Sequence, residues 1–174
     1  MTMPPQADLG AQQFWLEQMG RTSALNRWVF SRFAGALGRD ILEVGCGTGN
    51  FTRLMGESGA RVLGIDIEST FVEAARAATR DQPSVRIEQA DILECDWSRQ
   101  FDTVVLLDVI EHLADDVAIL GRLRDALVPG GRIVVKVPAM PALYGSLDEV
   151  VGHHRRYTRR GLAAALTAAE FVNI

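Results

Sequence analysis

Acidic side chains stand at the ends of several short hydrophobic runs in this sequence. Glu43 precedes the glycine-rich stretch "GCGTG", Asp66 ends "RVLGID", Asp91 follows "VRIEQA" and Asp108 ends "FDTVVLLD". Carboxylates accept hydrogen bonds from hydroxyl, amine and amide groups. In an open parallel sheet, ligands bind beyond the carboxyl ends of the strands. If these runs are parallel strands, the acidic residues therefore surround one binding site.

Three glycines occupy alternate positions after the first run, at Gly45, Gly47 and Gly49. Glycine adopts positive φ and leaves no Cβ between the backbone and a ligand. The N-terminus of a following helix offers free N–H groups to a carboxylate or phosphate. A tight strand-to-helix turn without a ligand explains such glycines equally well. The spacing G-x-G-x-G differs from the G-x-G-x-x-G of dinucleotide-binding enzymes, which disfavours a nicotinamide-dependent dehydrogenase.

Short apolar runs alternate with amphipathic segments along most of the chain. The pattern predicts strands at 40–44, 61–66, 85–90, 101–108 and 132–137. It predicts helices at about 11–19, 23–37 and 50–57, from a capping box at 70–73, around 117–127, and at 159–170. This order indicates an α/β fold, a Rossmann-like doubly wound parallel sheet with helices on both faces.

Composition limits the partners and the compartment. The 174 residues carry a net charge of −4, which argues against general nucleic-acid binding. No apolar run is long enough to span a bilayer, and the start "MTMPPQADLG" lacks the features of a signal peptide. Cys46 and Cys95 lack metal-ligand spacing and are expected to be free thiols. We therefore expect a cytoplasmic protein with no membrane partner.

From about residue 38 onward, the sequence resembles the class I S-adenosylmethionine-dependent methyltransferases. The resemblance rests on "EVGCGTGN", the acidic end of "RVLGID", "ADI", "FDTVVLLDVIEHL" and "LVPGGRIVVKVP", in the family's order. It implies that S-adenosyl-L-methionine is the cofactor and that its methionine part lies along residues 45–49, Cys46 included. Glu43 is then near the amino end of the cofactor.

The same resemblance assigns the rest of the cofactor site. It implies that Asp66, with Ile67 beside it, binds the ribose, that Asp91 and Ile92 bind the adenine, and that Asp108 closes the pocket. Taken alone, Asp66 is equally an ordinary helix-capping residue, and Asp91 an ordinary turn residue.

The segment "GHHRRYT" at 152–158 resembles a bacterial subgroup with GH-x-RRYT after the fifth strand. His153 is the candidate catalytic residue, as a base or as a group that orients the acceptor. Arg155 or Arg156 suits an anionic acceptor group, since guanidinium forks bind carboxylate and phosphate. The structural alternative is that Thr158 caps the helix 159–170 and the arginines are solvated or paired with residues 148 and 149.

Asp108, Glu111 and His112 in "DVIEH" resemble the E-x-x-E-H of two metal-using methyltransferase groups, those of ubiquinone synthesis and of small-RNA 3′ ends. His153 is a further candidate ligand there. Asp108 replaces the first glutamate and is one methylene shorter, and we expect no metal. The predicted activity is methyl transfer to oxygen or nitrogen of a small molecule. The alternatives are a metal-assisted enzyme of either group and a non-catalytic cofactor-binding partner subunit.

Two expectations concern the ends of the chain. Residues 1–37 form N-terminal helices, whose aromatic residues Phe14, Trp15, Trp28 and Phe30 act as a lid or as plain core. Residues 38–174 form the cofactor-binding domain. Class I relatives continue with two more strands, so we expect the natural protein to extend past Ile174.

Overall fold

A parallel sheet runs through the described part of the chain, residues 8, 10, 14 and 22–174 of a computed structural model. Its strands are β1 (Asp40–Val44), β2 (Arg61–Asp66), β3 (Val85–Gln89), β4 (Phe101–Leu107) and β5 (Leu127–Lys136). They lie in the order β3-β2-β1-β4-β5, and every neighbouring pair is parallel. This confirms the predicted doubly wound sheet. The strand order reverses between β1 and β4, where such folds open a crevice for ligands.

Helices cover the sheet and connect its strands, except that a loop joins β3 to β4. Within residues 22–174 they are α1 (Ser23–Phe33), α2 (Asn50–Glu57), α3 (Ser69–Ala78), α4 (Asp116–Ala126), α5 (Ser146–Val151) and α6 (Arg159–Ala168). Short 3-10 turns occupy Ala34–Ala36, Ile110–His112 and Pro141–Leu143. Apart from Phe14, the predicted helix at 11–19, with Trp15, lies outside the described residues. No helix among the described residues has the length and apolar character needed to cross a membrane.

The central strands are buried on both faces, which explains their continuous apolar sequences. On one face, Leu42 and Leu106 pack in the same cluster as Leu120 of α4. On the other face, Ile41 packs in a cluster with Met55 of α2. Burying each of these large side chains contributes about 1.5–3 kcal/mol. The two cores hold the carboxyl ends of β1 and β4 in place below the candidate site.

Two of the three aromatic residues of α1, Phe30 and Phe33, are part of the second core. Phe30 and Phe33 form an edge-to-face pair with ring centroids 5.4 Å apart, and both pack against the cluster around Ile41. Trp28 is 61% exposed and Phe14 is 57% exposed. Phe30 is therefore a core residue, and a lid formed by the N-terminal segment stays a prediction.

Two local predictions are wrong. Helix α3 begins at Ser69 with Glu68 as its N-cap and no side-chain cap, so "TFVE" is not a capping box. Strand β5 begins at Leu127, not at residue 132. Leu127 already pairs with Phe101, and the register shifts before Thr103 pairs with Arg132. The Pro-Gly-Gly segment is thus an irregularity within β5.

Candidate functional site

The glycine loop, residues 45–49, connects β1 to α2 across the end of β2. Its three glycines all have positive φ, at 71°, 52° and 81°. The N–H groups of Gly45 and Cys46 both donate to the carbonyl oxygen of Ile65, at 2.9 Å each. The loop is therefore fixed to β2 by its own backbone.

Two of the glycines make room for protein atoms. A Cβ on Gly45 would lie 2.6 Å from Cγ2 of Val109, and a Cβ on Gly49 would lie 3.0 Å from the Cα of Ala75. The sequence predicted that the missing Cβ atoms leave space for a ligand. At these two positions a neighbouring loop and α3 give a second reason for glycine, and the close approach of a ligand to the backbone stays a prediction.

Asp66 holds the glycine loop from the end of β2. Its carboxylate accepts hydrogen bonds from the N–H of Gly47 at 2.8 Å and from the N–H of Glu68 at 3.0 Å. Burial raises the pKa of Asp66 above its ordinary value. Ile67, beside it, is 59% exposed. The sequence-predicted ribose residue thus stands at the loop, with an open apolar side chain next to it.

Glu43 lies beneath the glycine loop and is 3% exposed. Its carboxyl group accepts a hydrogen bond from the hydroxyl of Thr52 on α2. Burial raises the pKa of Glu43 to about 8. A buried carboxyl group of this kind ionises more readily when a cation approaches, which suits an ammonium group. The sequence analysis missed Thr52, because the contact joins a strand to the next helix.

Asp91 and Ile92 follow β3 in a loop. The Asp91 carboxylate accepts a hydrogen bond from the N–H of Leu93 at 2.8 Å, which is the turn contact that the structural alternative expects. Ile92 is half-buried against the core, while Leu93 is 51% exposed. The loop therefore exposes an apolar side chain a few residues after the end of β3, and an adenine contact at Asp91 stays a prediction.

Asp108 ends the site on the β4 side and has a positive φ of 57°. Its carboxylate forms an ion pair with the ammonium of Lys136, and its N–H donates to the Lys136 carbonyl at 2.8 Å. Lys136 is the last residue of β5 and was not among the sequence-predicted site residues. Like the acidic residues, Lys136 stands at the end of a strand. A search for all charged residues at strand ends, not only acidic ones, would have found it.

Three side chains form what we call the histidine cluster: Glu111, His112 and His153. The rings of His112 and His153 lie 4.7 Å apart at 75°, and Nε2 of His153 lies 3.9 Å from Oε1 of Glu111. On its other side, His153 places Nδ1 2.8 Å from Oδ1 of Asp148. The cluster joins the turn after β4 to the segment after α5.

Burial controls the charges in the histidine cluster. Glu111 is fully buried, and neither of its carboxyl oxygens has a hydrogen-bond partner within the described residues. Burial raises the pKa of Glu111 to about 8. Burial, followed by the neighbouring His153, lowers the pKa of His112 to about 4. At neutral pH, Glu111 therefore carries its proton and His112 is neutral.

The same cluster offers the ligand atoms for a divalent cation. One oxygen or nitrogen from each of its three residues lies within 4.8 Å of the others. The unpartnered carboxyl of Glu111 and two imidazoles fit such an ion chemically. Asp108 does not belong to this group and is paired with Lys136, so only three of the four candidate ligands come together. The absence of a metal stays a prediction.

The two arginines are engaged by protein groups. Arg155 contacts the Asp116 carboxylate at 3.0 Å and the Ala114 carbonyl at 2.8 Å. Arg156 donates from Nε to Oδ1 of Asp148 at 2.7 Å. The Thr158 hydroxyl accepts from the N–H of residue 161 at 2.9 Å and caps α6, as predicted. The Arg156 contact is the predicted pairing with residue 148, whereas Arg155 pairs with Asp116, a partner that the sequence analysis did not name.

The sequence is similar to a methyltransferase family and to named methyltransferases. A family model described as a methyltransferase domain matches residues 42–133, more than half of the chain. A ubiquinone biosynthesis O-methyltransferase of Xanthomonas euvesicatoria pv. vesicatoria (strain 85-10) is 32% identical over 113 residues, or 61% of this chain and 47% of that protein. The chain thus spans about half the length of the curated relatives it matches.

Solved structures share the fold. An S-adenosylmethionine dependent methyltransferase from Mesorhizobium loti gives a TM-score of 0.65 at 23% identity, covering 79% of this chain and 76% of that one. Phosphoethanolamine N-methyltransferase 2 of Haemonchus contortus, in complex with S-adenosyl-L-methionine, gives 0.72 at 22% identity, covering 86% and 37%. At these identities the likeness establishes the fold.

Proposed function

We propose, from the premise that this chain belongs to the methyltransferase domain family, that it forms the cofactor-binding and catalytic part of an S-adenosylmethionine-dependent methyltransferase. The observation that carries the proposal is the hydrogen bond from the Gly47 N–H to Asp66. It joins the glycine loop to the end of β2, next to the reversal of strand order. A ligand with hydroxyl groups and a charged tail fits this place.

The residues around the glycine loop fit the parts of S-adenosylmethionine. Glu43 offers a buried carboxyl group for the ammonium group, and the first residues of α2 offer N–H groups for the carboxylate. Asp66 offers acceptor oxygens for the ribose hydroxyls. Ile67 and Leu93 are exposed apolar side chains suited to the faces of the adenine.

When bound, S-adenosylmethionine supplies a methyl group already activated by its sulfonium. The work left to the protein is to hold an acceptor atom close and aligned, and such positioning supplies about 7–11 kcal/mol. We propose that His153 takes up, at Nε2, the proton that a hydroxyl acceptor loses. A general base of this kind contributes about 10²–10⁴-fold.

We propose a small molecule methylated at oxygen or nitrogen as the acceptor. The name of the Xanthomonas relative, an O-methyltransferase, supports oxygen. An anionic acceptor stays a prediction with less support, because Arg155 and Arg156, the residues proposed to bind the anion, have protein partners. A panel of phenols and amines, each with and without an added carboxylate, tests this preference. We also keep a cytoplasmic location as a prediction.

Calorimetry on the full-length protein tests the proposal. S-adenosylmethionine and its demethylated product, S-adenosylhomocysteine, are titrated in parallel with NAD⁺. Saturable binding of the first two at one site, without binding of NAD⁺, supports the methyltransferase. Binding of NAD⁺ alone would favour a dehydrogenase on a similar sheet.

Two variants of this function are separated by turnover measurements. A non-catalytic partner subunit binds the cofactor and transfers no methyl group to any acceptor in the panel. The histidine cluster favours a test for a metal-assisted enzyme, because its ligand atoms converge. In that case chelation abolishes turnover and Mg²⁺ or Mn²⁺ restores it, whereas the metal-free reaction that we propose is unaffected by chelation.

A further inference from the structure

Asp148 is a buried carboxylate outside the candidate site that the sequence indicated. Its residue is 1% exposed, on the short helix α5. Oδ1 lies 2.8 Å from Nδ1 of His153 and accepts a hydrogen bond from Nε of Arg156 at 2.7 Å, and Oδ2 accepts from the N–H of Gly145 at 3.0 Å. A buried charge is tolerated when it is paired and hydrogen-bonded, and the donors of Arg156 and Gly145 meet that condition.

The surroundings of the carboxylate favour its ionised form. The guanidinium of Arg156, which is always charged, pairs with Oδ1 at 2.7 Å, and the N–H of Gly145 donates to Oδ2. An ionised carboxylate only accepts hydrogen bonds. The hydrogen in the 2.8 Å contact with His153 must therefore belong to Nδ1 of the imidazole. In a neutral ring, that arrangement leaves Nε2 with a free lone pair.

The backbone holds the same two residues in register. The N–H of His153 donates to the carbonyl oxygen of Asp148 at 2.8 Å, so main chain and side chain both connect the pair. The ring is further confined by His112, whose centroid is 4.7 Å away. Nε2 consequently faces Glu111 in the turn after β4, where we expect the acceptor.

We propose that Asp148 is a positioning residue that fixes His153 as the Nδ1–H tautomer, with Nε2 presented to the acceptor. This inference rests on the proposed function for its effect on turnover, although the tautomer itself does not depend on it. Asp148 touches neither cofactor nor acceptor in this account and acts through His153.

A purely structural role is the competing explanation. Asp148 also binds Gly145 at the start of α5 and neutralises Arg156, so its loss would loosen the segment 145–156. The two explanations differ in one respect. A positioning residue loses its influence on turnover when His153 is absent, whereas a structural residue keeps it.

The experiment combines Asp148→Asn and His153→Gln, singly and together, in the full-length protein. Glu149→Gln is the matched control, because Glu149 is the adjacent acidic residue and is exposed. Cofactor affinity, kcat and KM are measured for each variant. Imidazole ¹⁵N spectra of the unsubstituted protein identify the tautomer of His153, whose signals are those that vanish in His153→Gln.

The proposal predicts the Nδ1–H tautomer and a fall in kcat of about 10²-fold in Asp148→Asn, with unchanged cofactor affinity. Glu149→Gln has full activity, and Asp148→Asn has no further effect in the His153→Gln background. An Nε2–H tautomer, or equal losses from Asp148→Asn in both backgrounds, overturns it. If Asp148→Asn does not fold, or if no acceptor is turned over, the tautomer of His153 in the unsubstituted protein still decides whether the proposal holds. A failure to bind the cofactor would count against the proposed function alone.

Discussion

Residues 43–68 hold their polar groups mainly through backbone atoms, whereas residues 108–158 hold theirs through side chains distant in sequence. In the first region, Asp66 accepts two backbone N–H groups and the glycine loop bonds to β2. In the second, the histidine cluster and Asp148 bring together the turn 110–112 and the segment 145–156. Backbone contacts change little with sequence, while side-chain clusters are easily changed. The first region therefore suits a shared cofactor, and the second suits a particular acceptor.

The largest expected effect tests the acceptor region. His153→Gln removes the proposed base and should lower kcat by about 10²–10⁴-fold while leaving the cofactor Kd unchanged. His154→Gln is the control, since His154 is contacted through its backbone N–H, which the substitution keeps. Steady-state kinetics and calorimetry measure the two quantities. Equal losses in both variants would contradict a special role for His153.

The next effect tests the cofactor region. Asp66→Asn weakens the charged acceptor at the glycine loop, and hydrogen bonds to charged groups contribute about 1.5–3 kcal/mol. We expect the Kd for S-adenosylhomocysteine to rise by about 10- to 150-fold. Asp40→Asn, which removes an exposed ion pair with Arg61 at the other end of the sheet, is the control. An unchanged Kd in Asp66→Asn would separate Asp66 from the cofactor.

A smaller effect tests how the glycine loop is packed. Gly49 and Gly59 both have positive φ, at 81° and 90°, but a Cβ on Gly59 meets nothing within 4 Å. Alanine at Gly59 should cost about 1–2 kcal/mol for its backbone conformation. Alanine at Gly49 should cost about 1–3 kcal/mol more, because it presses on Ala75 of α3. Urea unfolding measures the stability of both variants. Equal losses of stability would show that α3 shifts without cost to accommodate the added methyl group.

The last prediction is a pH dependence, which is small over any single pH unit. The pKa of Glu43 is raised to about 8, so between about pH 4.3 and pH 8 the folded state keeps a proton that the unfolded state releases. Stability without cofactor should therefore fall as pH rises, by up to about 1.4 kcal/mol per pH unit. Glu43→Gln should flatten part of this slope, because Glu111 contributes in the same direction. Urea unfolding at a series of pH values measures the slopes. Equal pH slopes of the unfolding free energy in the unsubstituted protein and in Glu43→Gln would contradict a raised pKa at Glu43.

The strands were predictable from sequence because each is a short, continuous apolar run. β1 and β2 begin and end at the predicted residues, and β3 and β4 end one residue early. The start of β5 was missed because Leu127 belongs to the periodic pattern of α4 and joins the sheet only through Phe101. The cap of α3 was missed because the chain turns at Glu68 and makes Thr70 a helix residue.

The site was predictable where function depends on position after a strand, and not where it depends on contacts across the fold. The glycine loop and Asp66 meet as expected, since they follow adjacent strands. The role of Val109 against Gly45 and that of Asp148 against His153 depend on segments whose approach no local pattern encodes. Lys136, which pairs with Asp108, ends the neighbouring strand β5, and so the rule of position after a strand would have found it.

A crystal structure of the full-length protein with S-adenosylhomocysteine tests the central claim most directly. The account predicts the amino-acid part of that molecule along residues 45–49 and the ribose within hydrogen-bond distance of the Asp66 carboxylate. Density for the molecule elsewhere, or an Asp66 carboxylate that faces only Gly47 and Glu68, would contradict it.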